Sequence, residues 1–181
     1  MKDCTRQRHR LAARRTGVRT GLLLALTLAA GLLHAAPTEN SLLHKPAPNF
    51  VRRDLSGRRI DLRAYRGKVV LLNFWATWCG PCQVELPRFA AWQRQYAPDG
   101  LQVIAVSMDD GPAPVRALVL KLRLDFPVVL GDERLGAQFG GVLGLPVSFL
   151  IGRDGAIHAR IEGGTDLSAM ENRIRKLLAQ R

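Results

Sequence analysis

The sequence predicts an α/β sandwich, a mixed central sheet with helices on both faces. Three observations carry that prediction. Two near-continuous apolar runs of strand length, 69–75 and 101–108, read as strands covered on both sides. Each is followed by a stretch of helical periodicity. The chain then closes on two short strands joined by Arg153-Asp154-Gly155 and on an amphipathic segment, which adds a hairpin and a last helix.

Residues 1–36 read as a leader. Arg6, Arg8, Arg10, Arg14, Arg15 and Arg19 precede an uncharged apolar run from Gly21 to Leu33, and His34-Ala35-Ala36-Pro37 follows. Basic, then apolar, then small residues is the order of a secretory signal peptide. The run of 13 residues is short of the roughly 20 that span a bilayer, which favours a cleaved signal. Leu33 fits the −3 position of a cut after Ala35 poorly, however, and a cut after Ala36 leaves Pro37 first. An uncleaved signal anchor, with residues 21–36 held in the inner membrane, therefore stays open. Either alternative puts the folded part in the periplasm or otherwise outside the cytoplasm. Arg14-Arg15 hints at twin-arginine export, but Gly17 and Val18 stand where a stronger apolar pair is usual.

Residues 37–45 form a linker, and 46–181 one folded domain by length. Phe50–Arg53 and Arg59–Leu62 alternate around Asp54-Leu55-Ser56-Gly57, an N-terminal β-hairpin. Lys68–Ala76 is the first core strand. From Gly80 to Tyr96 the pattern is helical, with Val84, Phe89 and Trp92 expected inward and Pro87 expected to bend the axis without ending the helix. A strand at Leu101–Met108, a helix at Ala113–Leu124, a short strand at Pro127–Leu130 and a short helix at Asp132–Phe139 follow. The glycine-rich turn Gly140 to Pro146 leads into a strand, Val147–Ile151. In Ala156–Ile161, Ile157, Ala159 and Ile161 alternate with His158 and Arg160, so His158 is expected to face solvent. Asp166 is placed to cap a final helix carrying Leu167, Met170, Ile174 and Leu177 at helical spacing.

The formal net charge is +12, and half of it sits in the leader. The remaining Lys and Arg form no consecutive block and no aromatic interleaving, which argues against nucleic acid and for solvated faces. Of three cysteines, Cys4 lies in the leader, leaving Cys79 and Cys82 alone in an oxidising compartment. A structural bridge closing so small a loop would remove little unfolded-state entropy. A zinc site would need two more ligands, and neither His44, His158 nor the carboxylates have the spacing.

Trp78-Cys79-Gly80-Pro81-Cys82 therefore reads as a dithiol switch. Three-residue spacing in a helix opening near Gly80 puts both sulfurs on one face, within reach of a disulfide. Pro81 suits a first helical turn. Cys79 at the helix N-terminus meets unpaired N–H groups and the positive dipole end, which favour its thiolate, so it is the expected nucleophile.

Four segments resemble the exported TlpA/ResA-like branch of thioredoxin-fold thiol-disulfide oxidoreductases: Ala47-Pro48-Asn49-Phe50 with the hairpin, Gly67 through Cys82, Glu85-Leu86-Pro87, and Gly144-Leu145-Pro146. The resemblance implies that Pro146 is cis and lies against the cysteine pair, with the backbone of Leu145 free to pair with a client strand. It also implies that Glu85 assists the buried thiol. Ordinary thioredoxins carry an Asp where this chain has Asn73, which cannot take a proton. A solvated helix carboxylate is the alternative reading of Glu85. Val147 stands where the branch usually has Thr.

The implied chemistry is attack of the Cys79 thiolate on a client disulfide, resolution by Cys82, and release of reduced client. Trp78 fits as a flat apolar wall for the client, and Trp75 fits the core better. No bound cofactor and no metal are implied. Gly80-Pro81 offers no side-chain donor or cation to the thiolate, where strongly oxidising relatives place a histidine. The stretch 109–126 has room for one helix only, not the large helical insert of the oxidising branch. A reductant of client disulfides is therefore expected, recharged by a thiol electron donor in the membrane. Family analogy suggests apocytochrome c as client and cytochrome c biogenesis as the process. Three alternatives stand beside it: a disulfide-forming oxidase, a thiol peroxidase whose expected Pro and Thr/Ser positions are not here, and a non-catalytic binding module.

Overall fold

The computed structural model describes residues 42–164 and 166–180, all within one compact unit. The leader and most of the linker lie outside the described residues. β1 (Val51–Arg53) and β2 (Arg59–Asp61) form the hairpin, with Val51 opposite Asp61. A four-residue 3-10 turn, Leu62–Tyr65, follows, which the sequence pattern does not reveal. It is too short to display a period.

The main sheet contains β3 (Val69–Trp75), β4 (Leu101–Ser107), β5 (Val128–Leu130), β6 (Val147–Ile151) and β7 (Ile157–Glu162). Their order is β5-β4-β3-β6-β7. β3 is parallel to β4 and antiparallel to β6, so the sheet is mixed as expected. β3 is buried at every position, which explains why it reads as an unbroken apolar run rather than an alternating one.

Alternate residues of β3 feed two cores. Val69, Leu71 and Trp75 face α1 (Gly80–Tyr96), α2 (Pro112–Leu122) and α4 (Leu167–Ala179). Val70, Leu72 and Phe74 pack with α3 (Glu133–Gln138), Phe139 and the hairpin's Ile60. Helices thus cover both faces. Asp132 caps α3 by accepting from the Leu135 N–H at 2.7 Å, and Asp166 caps α4 through Ser168 and Ala169. Met170, Ile174 and Leu177 are the buried stripe of α4.

Three expectations need correction. Val84 is 72% exposed, not inward; Cys82, Glu85, Leu86, Phe89 and Trp92 form the buried face of α1 instead. α2 ends at Leu122 because Arg123 takes a left-handed φ of 52° and turns the chain away. His158 is only partly exposed, with its ring nitrogen 3.3 Å from Asp154 Oδ1. Pro87 sits on the exposed side of α1, and the helix runs through it.

Candidate active site

β3 delivers the chain from the sheet to the N-terminus of α1. Ala76 closes a turn by accepting from the Cys79 N–H at 3.1 Å, and Cys79 becomes the residue that caps α1. Its Sγ accepts from the Cys82 N–H at 3.3 Å, so a helix-terminal amide points at the sulfur. That is the environment that stabilises a thiolate. Pro81 sits in the first turn, where a missing N–H costs nothing.

Cys79 and Cys82 are joined in a disulfide with Cα atoms 5.3 Å apart. Cys79 is 5% exposed and Cys82 1%, so both residues of the pair are largely screened from bulk water. Glu85, one turn on, is 4% exposed on the same buried face as Cys82, so the solvated-carboxylate alternative does not hold. Trp78 is 71% exposed, while Trp75 is fully buried in the core. Asn73 is buried and donates from Nδ2 to Ser148 Oγ at 3.0 Å across the β3–β6 pair.

The Leu145–Pro146 peptide bond is cis, as the resemblance implies. Pro146 is buried, and its carbonyl accepts from Gly163 at 3.0 Å. Leu145 packs against the core cluster that contains both cysteines. Its own backbone N–H and C=O bond to no described residue. Beside it lies a groove of about 350 Å³ lined by the 140–147 loop, Arg160, Glu162 and Gly163. Arg160 braces that loop: its guanidinium donates to the carbonyls of Phe139, Gly140 and Gly141 and pairs with Glu162. It also lies over the Phe149 ring, 5.7 Å from the centroid.

Sequence reasoning misses Arg160, because alternation alone labels it solvent-facing. It also misses a buried polar cluster under the Trp78 loop. Asp109 accepts from the Thr77 N–H at 2.9 Å, from Thr77 Oγ1 at 2.5 Å and from Ser107 Oγ at 2.7 Å. Gln83 donates to the Thr77 carbonyl at 2.7 Å.

Fold and site together define a thioredoxin-fold dithiol-disulfide oxidoreductase. The comparisons with known proteins agree. The AhpC/TSA family model matches residues 43–160. The thiol-disulfide oxidoreductase ResA of Bacillus cereus is 35% identical over 160 residues, covering 86% of this chain and 92% of the relative. ResA of Bacillus subtilis is 36% identical over 161 residues, covering 87% and 89%. Among solved structures, a thiol:disulfide interchange protein of the thioredoxin family from Chlorobium tepidum superposes with a TM-score of 0.69 at 26% identity, over 74% of this chain and 96% of that one. The chain belongs to the AhpC/TSA family of the thioredoxin superfamily, in its TlpA/ResA-like thiol-disulfide oxidoreductase branch.

Proposed function

We propose that this oxidoreductase works outside the cytoplasm as a reductant of client-protein disulfides. Cys79 attacks one sulfur of the client disulfide and the other leaves as a thiolate. Cys82 then attacks Cys79 Sγ, which frees the second client thiol and closes the Cys79–Cys82 bond. Two electrons pass from the dithiol to the client. Glu85 takes up the proton of Cys82, Trp78 supplies an apolar wall, and the backbone of Leu145 pairs with the client chain beside Pro146. A membrane thiol donor returns the electrons, and apocytochrome c, whose cysteines must be reduced before haem attachment, is the client class that the family analogy favours.

The observation that carries this reading is the disulfide at the N-terminus of α1, with Cys79 Sγ facing a helix amide and with only Gly80-Pro81 between the sulfurs. That pair lends the thiolate no extra donor or charge, so the dithiol form is not strongly favoured and tends to give its electrons away. The basic-apolar-small order of residues 1–36 supports export, by cleaved signal or by anchor.

The test is to express Cys82→Ser in the native host and identify proteins held on Cys79. Capture of exported proteins with paired cysteines, apocytochrome c among them, supports the proposal; a trap that captures nothing overturns it. A measured potential near about −120 mV, that of a strong oxidant, overturns the direction alone.

A further inference from the structure

The cluster beneath the Trp78 loop makes no contact that the exchange chemistry itself requires, yet it fixes the segment that leads into Cys79. Thr77 is held at all three of its polar groups. Asp109 takes its N–H and its hydroxyl, and Gln83, on α1, takes its carbonyl. Asp109 is itself buried and fixed by Ser107 at the end of β4, both through Oγ to Oδ2 at 2.7 Å and through the Asp109 N–H to Ser107 Oγ at 3.2 Å. The Met108 N–H to Trp75 carbonyl bond, 2.8 Å, ties the same two strand ends together. The segment between the sheet and Cys79 is therefore fastened to β4 on one side and to α1 on the other. Its next residue but one is the nucleophile.

We propose that Asp109 is a positioning residue for the dithiol, acting through Thr77 to hold Cys79 where Cys82 can reach it. The proposal rests on the dithiol chemistry and not on the direction proposed above. The physical argument is one of effective concentration. Closing Cys79 onto Cys82 freezes whatever freedom the loop has when the sulfurs are apart, and a loop already fastened at Thr77 loses little. Fastening thus raises the effective concentration of one sulfur at the other and favours the disulfide. In the balanced exchange, protein dithiol and glutathione disulfide give protein disulfide and two glutathione thiols. Loosening the loop lowers the equilibrium constant of that reaction.

The experiment compares Asp109→Ala, Thr77→Val and Thr77→Ser with the wild type, each equilibrated in glutathione buffers and each unfolded in urea in both redox forms. Asp109→Ala is expected to lower the exchange constant about tenfold, equivalent to a potential roughly 30 mV more oxidising. Thr77→Val is expected to lower it about threefold, and Thr77→Ser, which keeps the hydroxyl, to stay within twofold. Through the thermodynamic cycle, the disulfide form must lose more stability than the dithiol form by the same ratio. A merely structural role weakens both forms equally and leaves the exchange constant unmoved; that result in Asp109→Ala and Thr77→Val overturns the proposal. If Asp109→Ala does not fold, the Thr77 pair still decides. The direction reading depends on the wild type's absolute potential and this one on differences between variants, so the two can fail separately.

Discussion

At the end of the sheet where β3 begins and β6 finishes, Arg153 donates to the carbonyls of Gly67, Asp99, Leu178 and Gln180, joining the start of β3, the α1–β4 connection and the end of α4. At the opposite end, where β3 finishes and β6 begins, Leu145 leaves its backbone N–H and C=O without partners among the described residues, and Trp78 and Leu143 lie open to solvent. One end consumes its carbonyls to close the structure. The other leaves backbone polar groups without described partners and apolar area exposed, and it is there that the proposed mechanism seats a client chain.

The two ends should respond to different substitutions. Cys79→Ser has the largest expected effect: thiol-disulfide exchange with any disulfide substrate falls to background, while urea unfolding stays within about 1 kcal/mol of the reduced wild type, since a small buried side chain is replaced by its near-isostere. Arg153→Ala should do the reverse. It strips a charged donor from four carbonyls and is expected to cost about 2 kcal/mol in urea unfolding, with the exchange rate unchanged. A slowed exchange would mean that the two ends are coupled. Trp78→Ala, at a largely exposed position, should change stability by less than about 0.5 kcal/mol yet slow reduction of a peptide disulfide about tenfold, measured by stopped-flow fluorescence.

The smallest effect concerns the clip between α1 and α4. The Tyr96 hydroxyl donates to Glu171 at 2.8 Å, and Arg88 reaches the other carboxylate oxygen at 3.3 Å. The Tyr96 bond is the main reason the Glu171 carboxyl is held below its ordinary value of 4.5, partial burial opposing it and Arg88 adding to it. A carboxyl lowered in the folded state contributes stability above its unfolded value and loses it as pH falls through the folded one. Tyr96→Phe should therefore cost about 1 kcal/mol or less at pH 7, and the gap to wild type should narrow below about pH 4.5. A gap that is constant down to pH 2 would show that the hydroxyl acts by packing alone.

Most of the architecture is legible before the fold is seen, because β3 and β4 are buried on both faces and burial writes itself as an apolar run. α1 runs from Gly80 to Tyr96, as its proline-containing first turn and the helical pattern through Tyr96 predict. The departures have physical causes. Val84 looks like a core residue by type, yet two residues beyond Cys82 the helix has turned about 200° away from the buried face, which leaves it exposed. The link between Thr77 and Asp109 spans 32 positions and leaves no periodic trace. Arg160 follows the alternation that marks a solvent position, but its long stem folds back over Phe149 to reach the 139–141 carbonyls. The cis bond before Pro146 follows from resemblance alone, since no local pattern distinguishes it from an ordinary turn proline.

The exposed residues that neighbour the two cysteines and Leu145 in the chain, namely Trp78, Gly80, Pro81, Val84, Leu143 and Gly144, are uncharged in a chain that is otherwise strongly basic, and the two charged side chains of the adjoining groove, Arg160 and Glu162, pair with each other. An encounter that ends on such a surface has little electrostatic guidance to lose. Its association rate should hold nearly steady as ionic strength rises, even while weaker contacts between client and the arginine-bearing faces are screened away.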